Sequence, residues 1–171
     1  MLVLSRRGLD GAPPGGLWFE AESAGWEMFP QQTRLAAAAT LLRRTVFLPP
    51  FSVRPYFVTC AHEGWRRVRV GQLAAWSGIP VNVLKRRLAV STLTPPGIAA
   101  WNLALHALWL LDVAELPARV AASSMRLGRT GAIGAILGAR GVRYAGGKVA
   151  PGAFAAALER YVAVLRSAFG T

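Results

Sequence analysis

The segment that most constrains the fold is 73–88, LAAWSGIPVNVLKRRL, which has the pattern of two short helices separated by a glycine. The apolar side chains of Leu73, Leu84 and Leu88 recur at the spacing by which two crossed helices bury a common core. Gly78 lies where the chain has to leave the first helix, a position that favours a left-handed backbone and therefore glycine. The segment predicts a pair of crossed helices joined by a tight turn.

The second of these helices carries its polar side chains on one face. At about 100° per residue, Asn82, Lys85 and Arg86 lie on or beside the face opposite the leucines. An apolar inner face with amide and guanidinium groups outside is the arrangement of a recognition helix. We therefore interpret residues 70–90 as a helix-turn-helix.

Residues 73–88 also show a family resemblance. Their pattern, Leu-Ala-x-x-x-Gly-Ile-x-x-x-x-Leu-x-Arg-x-Leu, resembles the first helix-turn-helix of the AraC-type transcription regulators. The likeness continues through a long helix over 95–111 and a second Gly-rich helical unit, and covers about half of the chain. It implies an all-α fold in which a connecting helix holds two helix-turn-helix subdomains about one DNA turn, roughly 34 Å, apart.

The chain is expected to divide into a short N-terminal appendage of uncertain fold, 1–50, and an AraC-like DNA-binding domain, 51–171. Pro49 and Pro50 mark the boundary, because the residue before a proline is disfavoured in a helix. Within the appendage, an alanine-rich and leucine-rich stretch predicts one helix near 31–44. The domain should contain a short helix over 55–63, the first helix-turn-helix over 70–90, the connecting helix over 95–111, a degenerate second helix-turn-helix over 116–141 and a C-terminal helix over 151–169.

The second helix-turn-helix departs from the family pattern in two places. Met125 and Arg126 stand where the family usually has Gly followed by Phe. Residues 131–138 are nearly all small or apolar, whereas a recognition helix is usually polar, and each interior Gly costs about 1 kcal/mol of helix stability relative to Ala. We therefore expect this unit to hold phosphates rather than to read bases.

The charge of the chain favours a polyanionic partner. Twenty Lys and Arg residues against eight Asp and Glu give a net charge of +12, which suits nucleic acid or an anionic membrane surface. No carboxylate occurs in 64–111 or in 116–158, the two runs that hold the proposed DNA-binding units. The alternative is a high-GC coding bias, which enriches Arg, Ala and Gly throughout a chain.

These features give a DNA-binding hypothesis with named residues. Asn82, Lys85 and Arg86 are expected to contact bases in the major groove. A second set is expected to neutralise phosphates: Arg66, Arg67, Arg69, Arg87, Arg126 and Arg129. The partner would be double-stranded DNA and the location the cytoplasm, on the nucleoid. For Arg86 and Arg87 the alternative is a solvated helix face.

Two other functions are compatible with the sequence. One is a degenerate relative that binds a protein partner, or a second copy of itself, through Trp18, Trp26 or the surface of residues 131–139. The other is a basic amphipathic protein lying on an anionic membrane. A membrane span is not expected, because the apolar run 97–111 has 15 residues and contains Asn102 and His106, whereas a span needs about 20.

No catalytic, metal or cofactor site is predicted. The eight carboxylates are not paired at helical spacing with a histidine. The Gly-x-x-Gly-x-x-Gly run at 128–134 lacks the Gly-Lys-Ser/Thr ending of a phosphate loop. His106 is expected in the core, because the only other histidine is His62 and no cysteine pair accompanies them. The single cysteine, Cys60, is expected to be a small core residue in a reducing compartment.

Overall fold

The computed structural model describes the backbone of residues 17–170 and the side chains of residues 31–170. Over this part of the chain the protein is all-helical, which confirms the predicted fold class. The helices are α1 (Leu17–Thr45), α2 (Arg54–Glu63), α3 (Val70–Trp76), α4 (Val81–Leu88), α5 (Pro95–Leu108), α6 (Ala118–Ser124), α7 (Gly131–Gly138) and α8 (Ala153–Phe169), with a π-helical turn at Trp109–Val113. None of the helices described has the length and apolarity needed to cross a membrane.

The first helix is longer than the sequence predicts. The helix expected near 31–44 forms the second half of α1, which begins at Leu17. In that half Ala37, Ala38 and Leu41 are buried, and α1 packs on α2, α5 and α8. The side chains of Trp18 and Trp26, proposed for a partner surface, lie outside the described residues, as does the segment 1–16.

The connecting helix is the centre of the core. Thr94 begins α5, since its Oγ1 accepts a hydrogen bond from the Gly97 N–H at 3.2 Å, and two prolines follow in the first turn. Ile98, Leu105 and Leu108 are fully buried. Helices α1, α2, α3, α4, α7 and α8 all contact α5. The two short helix pairs, α3–α4 and α6–α7, are therefore held by one shared element.

The end of the connecting helix departs from the α-helical pattern. After Leu108 the chain widens into the π-helical turn, in which the Ala114 N–H donates to the Trp109 carbonyl at 2.9 Å. Asp112 then reaches α8, where its carboxylate accepts hydrogen bonds from the N–H groups of Gly152 at 3.1 Å and Phe154 at 2.8 Å. This carboxylate therefore caps the N-terminus of α8 from a distant part of the chain.

Two polar side chains lie inside the core on α5. Asn102 donates to the Ile98 carbonyl at 2.9 Å and lies 3.4 Å from the Tyr161 hydroxyl. His106 is 1% exposed, and its Nδ1 donates to the Asn102 carbonyl at 2.9 Å. Burial lowers the pKa of His106 to about 4, against the weaker opposing effect of that hydrogen bond. The expectation that His106 is a core residue is confirmed, as it is for Cys60.

Candidate nucleic-acid interface

The turn between α3 and α4 has the predicted geometry. Gly78 has a φ of +70°, so the left-handed conformation expected there is confirmed. Its N–H donates to the Ala75 carbonyl at 3.1 Å, and the Ile79 N–H donates to the Ala74 carbonyl at 3.1 Å. These two bonds end α3 and turn the chain directly into α4.

Helix α4 buries one face and exposes the other. Leu84 and Leu88 are at most 1% exposed, and they pack in the same core as α5. Asn82, Lys85 and Arg86 are exposed. The Asn82 Oδ1 accepts from the neighbouring Val83 N–H at 2.9 Å, which leaves its amide NH₂ directed away from that bond. The three residues predicted to contact bases therefore lie on the solvent side of one short helix.

Of the six arginines predicted to contact phosphate, two have partners within the described residues. Arg66 forms an ion pair with Glu63 at 3.2 Å. Arg87 donates to the Ser52 carbonyl at 2.6 Å and so ties α4 to the segment before α2. The remaining four arginines are exposed: Arg67, Arg69, Arg126 and Arg129. Arg87 thus has a structural role in addition to any contact with DNA.

The turn between α6 and α7 repeats the geometry of the first turn without a glycine. Arg126 has a φ of +53°, its N–H donates to the Ser123 carbonyl at 2.9 Å, and the Leu127 N–H donates to Ala122 at 2.9 Å. A residue other than glycine pays roughly 1–2 kcal/mol in this conformation. Met125, just before it, is fully buried. Arg126 therefore occupies the position that Gly78 occupies in the first turn.

Helix α7 uses its apolar residues for packing. Ile133 and Leu137 are fully buried, and α7 packs on α5. A Cβ at Gly134 would lie 3.1 Å from the Tyr144 ring, so a small residue fits best there. The outward positions are Gly131, Ala135, Gly138 and Ala139, none of which has a polar side-chain atom. Side chains of α7 therefore cannot read base edges by hydrogen bonding.

A cluster of arginines around Trp65 was not predicted from the sequence. The guanidinium carbons of Arg34, Arg66 and Arg126 lie 4.1, 4.9 and 5.7 Å from the centroid of the Trp65 ring. Burial lowers the pKa of Arg34, and the charges of Arg126 and Arg66 lower it further. Three segments far apart in the chain thus place positive charge around one indole, a relationship that no local pattern reveals.

The described residues hold no group of three or more His, Cys, Asp or Glu side chains arranged to bind a metal ion. Comparison of the chain with protein-family models, curated proteins and solved structures found no match. The likeness to AraC-type regulators therefore rests on residues 73–88 and on the order of the helices. The function has to be argued from the exposed face of α4 and the charge around it.

Proposed function

We propose that this protein is a sequence-specific DNA-binding transcription regulator of the AraC type, in which α4 enters the major groove. The observation that carries the proposal is the division of α4 into a buried leucine face and an exposed face of Asn82, Lys85 and Arg86. The major groove of B-DNA is wide enough to admit one α-helix. A helix with this division can insert its polar face while its leucines stay in the core.

The side chains on that face suit two kinds of base edge. Arg86 can donate two hydrogen bonds to the O6 and N7 atoms of guanine, and Asn82 can pair with N6 and N7 of adenine. Each such contact contributes about 1–3 kcal/mol of discrimination. Lys85 adds a third contact, and Arg67 and Arg69, exposed just before and at the start of α3, contact phosphates.

The α6–α7 pair takes a different part in this proposal. Its helix α7 presents no polar outer face, but Arg126 and Arg129 are exposed at the turn before it. We therefore assign base reading to the first pair and phosphate contact to the second. On this assignment the protein acts on double-stranded DNA in the cytoplasm, on the nucleoid.

The two alternatives differ in what supports them. A protein-interaction surface over 131–139 would need exposed apolar side chains there, whereas Ile133 and Leu137 are buried. The membrane-surface alternative has one observation in its favour. Phe47 and Phe51 are 79% and 82% exposed, and both rings lie within 6 Å of the Arg54 guanidinium, at 5.7 and 5.8 Å. Exposed aromatic rings beside a cation suit an anionic lipid surface.

The proposal is tested by measuring affinity against salt concentration on a duplex chosen by selection from a random pool and on random duplex. The test variant combines Asn82→Ala with Arg86→Ala. The matched control combines Gln31→Ala with Arg43→Ala, which removes an amide and one positive charge from exposed positions of α1. We expect the test variant to lose about 2–6 kcal/mol of preference for the selected duplex, from two contacts of about 1–3 kcal/mol each.

The same titration separates the alternatives. The control variant should keep the sequence preference of the wild type, since α1 does not enter the groove in this proposal. A wild-type protein that binds selected and random duplexes equally would contradict the assignment of α4. Binding to vesicles containing phosphatidylserine, lost in a Phe47→Ser, Phe51→Ser variant and combined with no affinity for DNA, would favour the membrane-surface function instead.

A further inference from the structure

We propose that the cavity between α6 and the start of α7 binds a phosphate group through Arg119, Arg126 and Arg129, assisted by the hydroxyls of Ser123 and Thr130. The phosphate group can belong to a DNA backbone, a source that rests on the proposed function, or to a free phosphate ester. Both sources present the same chemistry to the cavity, and the experiment below distinguishes them.

The cavity has the size and lining of a small-anion site. Its volume is about 640 Å³, within the range of ligand pockets in proteins. Arg119 and Ser123 are four residues apart on α6 and so lie on the same face of that helix. The complete lining is Arg119, Ala122, Ser123, Arg126, Gly128, Arg129 and Thr130, and it includes no carboxylate.

The positive charge in this cavity is not neutralised within the described residues. The ion pairs formed there are Arg44 with Glu159 and Arg66 with Glu63, and neither includes an arginine of the cavity. The whole run 116–158 contains no Asp or Glu, so no acidic side chain lies near in sequence either. Three like charges in one concavity repel one another, and a bound anion removes that repulsion.

The start of α7 adds hydrogen-bond donors to the cavity. Thr130 is the N-cap residue of α7, but its side chain makes no capping hydrogen bond. The Thr130 hydroxyl therefore remains able to donate to a ligand. The N-terminus of a helix also carries a partial positive charge and unpaired N–H groups, which favour phosphate.

Arg126 is held in place by two independent features. Its backbone is in the left-handed conformation, and its guanidinium lies 5.7 Å from the centroid of Trp65. Strained backbone conformations of this kind cluster at ligand-binding sites. Because Arg34 and Arg66 also contact Trp65, a phosphate bound beside Arg126 reduces the repulsion among all three guanidiniums around that ring.

The first measurement is thermal unfolding in sodium pyrophosphate against sodium chloride of equal ionic strength. The test variant combines Arg119→Gln with Arg129→Gln, and the matched control combines Arg143→Gln with Arg166→Gln, which removes two exposed charges outside the cavity. At ten times the dissociation constant, pyrophosphate shifts the unfolding equilibrium about 11-fold and raises Tm by about 3–6 °C. We expect this rise in the wild type and the control but not in the test variant.

The second measurement is the salt dependence of affinity for random duplex DNA. Loss of one phosphate contact reduces the slope of log affinity against log salt by about one unit. A reduced slope in the cavity variant, beyond any change in the control and without stabilisation of the wild type by pyrophosphate, assigns the phosphate to DNA. Stabilisation by pyrophosphate with an unchanged slope assigns it to a free phosphate ester.

The proposal is overturned when neither effect separates the cavity variant from the control. Circular dichroism verifies that the double variant is folded, and the single Arg129→Gln variant replaces it if it is not. The variant of α4, Asn82→Ala with Arg86→Ala, distinguishes this failure from failure of the proposed function. It should keep both the pyrophosphate effect and the contribution of the cavity to the salt slope, whatever happens to sequence preference.

Discussion

The carboxylate of Asp112 accepts a hydrogen bond from the backbone N–H of Phe154 at 2.8 Å, across 42 positions of the chain. A second bond, from the Gly152 N–H, uses its other oxygen. One side chain at the end of the connecting helix thus satisfies two N–H groups at the start of α8. The C-terminal helix is therefore joined to the core by a polar contact as well as by its apolar face.

Replacing Asp112 should weaken the fold measurably. We expect Asp112→Ala to lower the free energy of unfolding by about 1–3 kcal/mol, because it removes a charged N-cap with two hydrogen bonds. Urea denaturation followed by circular dichroism measures the change. Glu115→Ala is the control, since Glu115 is an exposed carboxylate three residues away that makes no such cap. Equal loss in both variants would show that net charge, not capping, is responsible.

Gly64 is required for the close approach of α2 to α5. A Cβ at this position would collide with the carbonyl oxygen of Cys60 and lie 2.8 Å from the Cβ of Asn102. We expect Gly64→Ala to destabilise the protein by about 1–3 kcal/mol, the usual effect of overpacking. Gly71→Ala is the matched control, because nothing lies within 4 Å of a Cβ there and α3 should gain helix propensity. A Gly64→Ala variant as stable as wild type would contradict the packing described here.

Arg126 should show a conflict between stability and binding. The Arg126→Gly variant should be about 1 kcal/mol more stable than Arg126→Ala, because only glycine adopts the left-handed backbone freely. Both variants should weaken DNA binding and reduce its salt slope equally, since both lose the guanidinium. Chemical denaturation and the DNA titration test the two statements separately. If the glycine and alanine variants are equally stable, the left-handed conformation is absent in solution.

These residues show why sequence reasoning succeeded at the first helix pair. In α3–α4 every local signal agrees: leucines at helical spacing, polar residues opposite them and a glycine at the left-handed position. The second turn has the same hydrogen bonds, but Arg126 replaces the glycine, so the signal used to find such turns is missing. A spacing of 48 residues relates Gly78 to Arg126 and Leu73 to the buried Ala121, and this repeat could have revealed the second turn.

Other features depend on contacts that no local pattern encodes. Trp65 meets Arg34 and Arg126 only because α1 and the α6–α7 turn are brought together by the core. The start of α1 was missed for a local reason. Pro30 lacks a backbone N–H and is disfavoured inside a helix, so a prediction from sequence begins after it, whereas α1 extends from Leu17.

The buried His106 should make stability depend on pH. Its pKa is lowered to about 4 from 6.5, chiefly by burial, so the fold favours the neutral ring. Its contribution is complete above pH 6.5, decreases as the pH falls towards 4 and is absent below that, a change of about 3 kcal/mol. Unfolding free energies measured from pH 7 to pH 4 should therefore fall less steeply in His106→Gln than in wild type. The exposed His62, changed to Gln, should leave the profile nearly unchanged.

The lone thiol should be inert while the protein is folded. Cys60 is fully buried, and burial raises its pKa to about 12 from 9.0. Three units correspond to about a thousandfold less thiolate, the reactive form, below both pKa values. We expect labelling by a thiol-reactive dye at pH 8 to occur only through unfolding. A Cys60→Ala, Ser167→Cys variant should react at once, because position 167 is exposed on α8.

The π-helical turn at Trp109–Val113 has a consequence for how such a chain can change. A regular α-helix rotates by about 100° with each residue, and a π turn accommodates one residue more than an α turn does. Deleting a single residue from this turn would restore a straight helix, but it would rotate all that follows by about 100°. Asp112 would then no longer face α8, and α6–α7 would take another orientation relative to α4. The geometry between the two helix pairs is thus adjustable by the gain or loss of one codon.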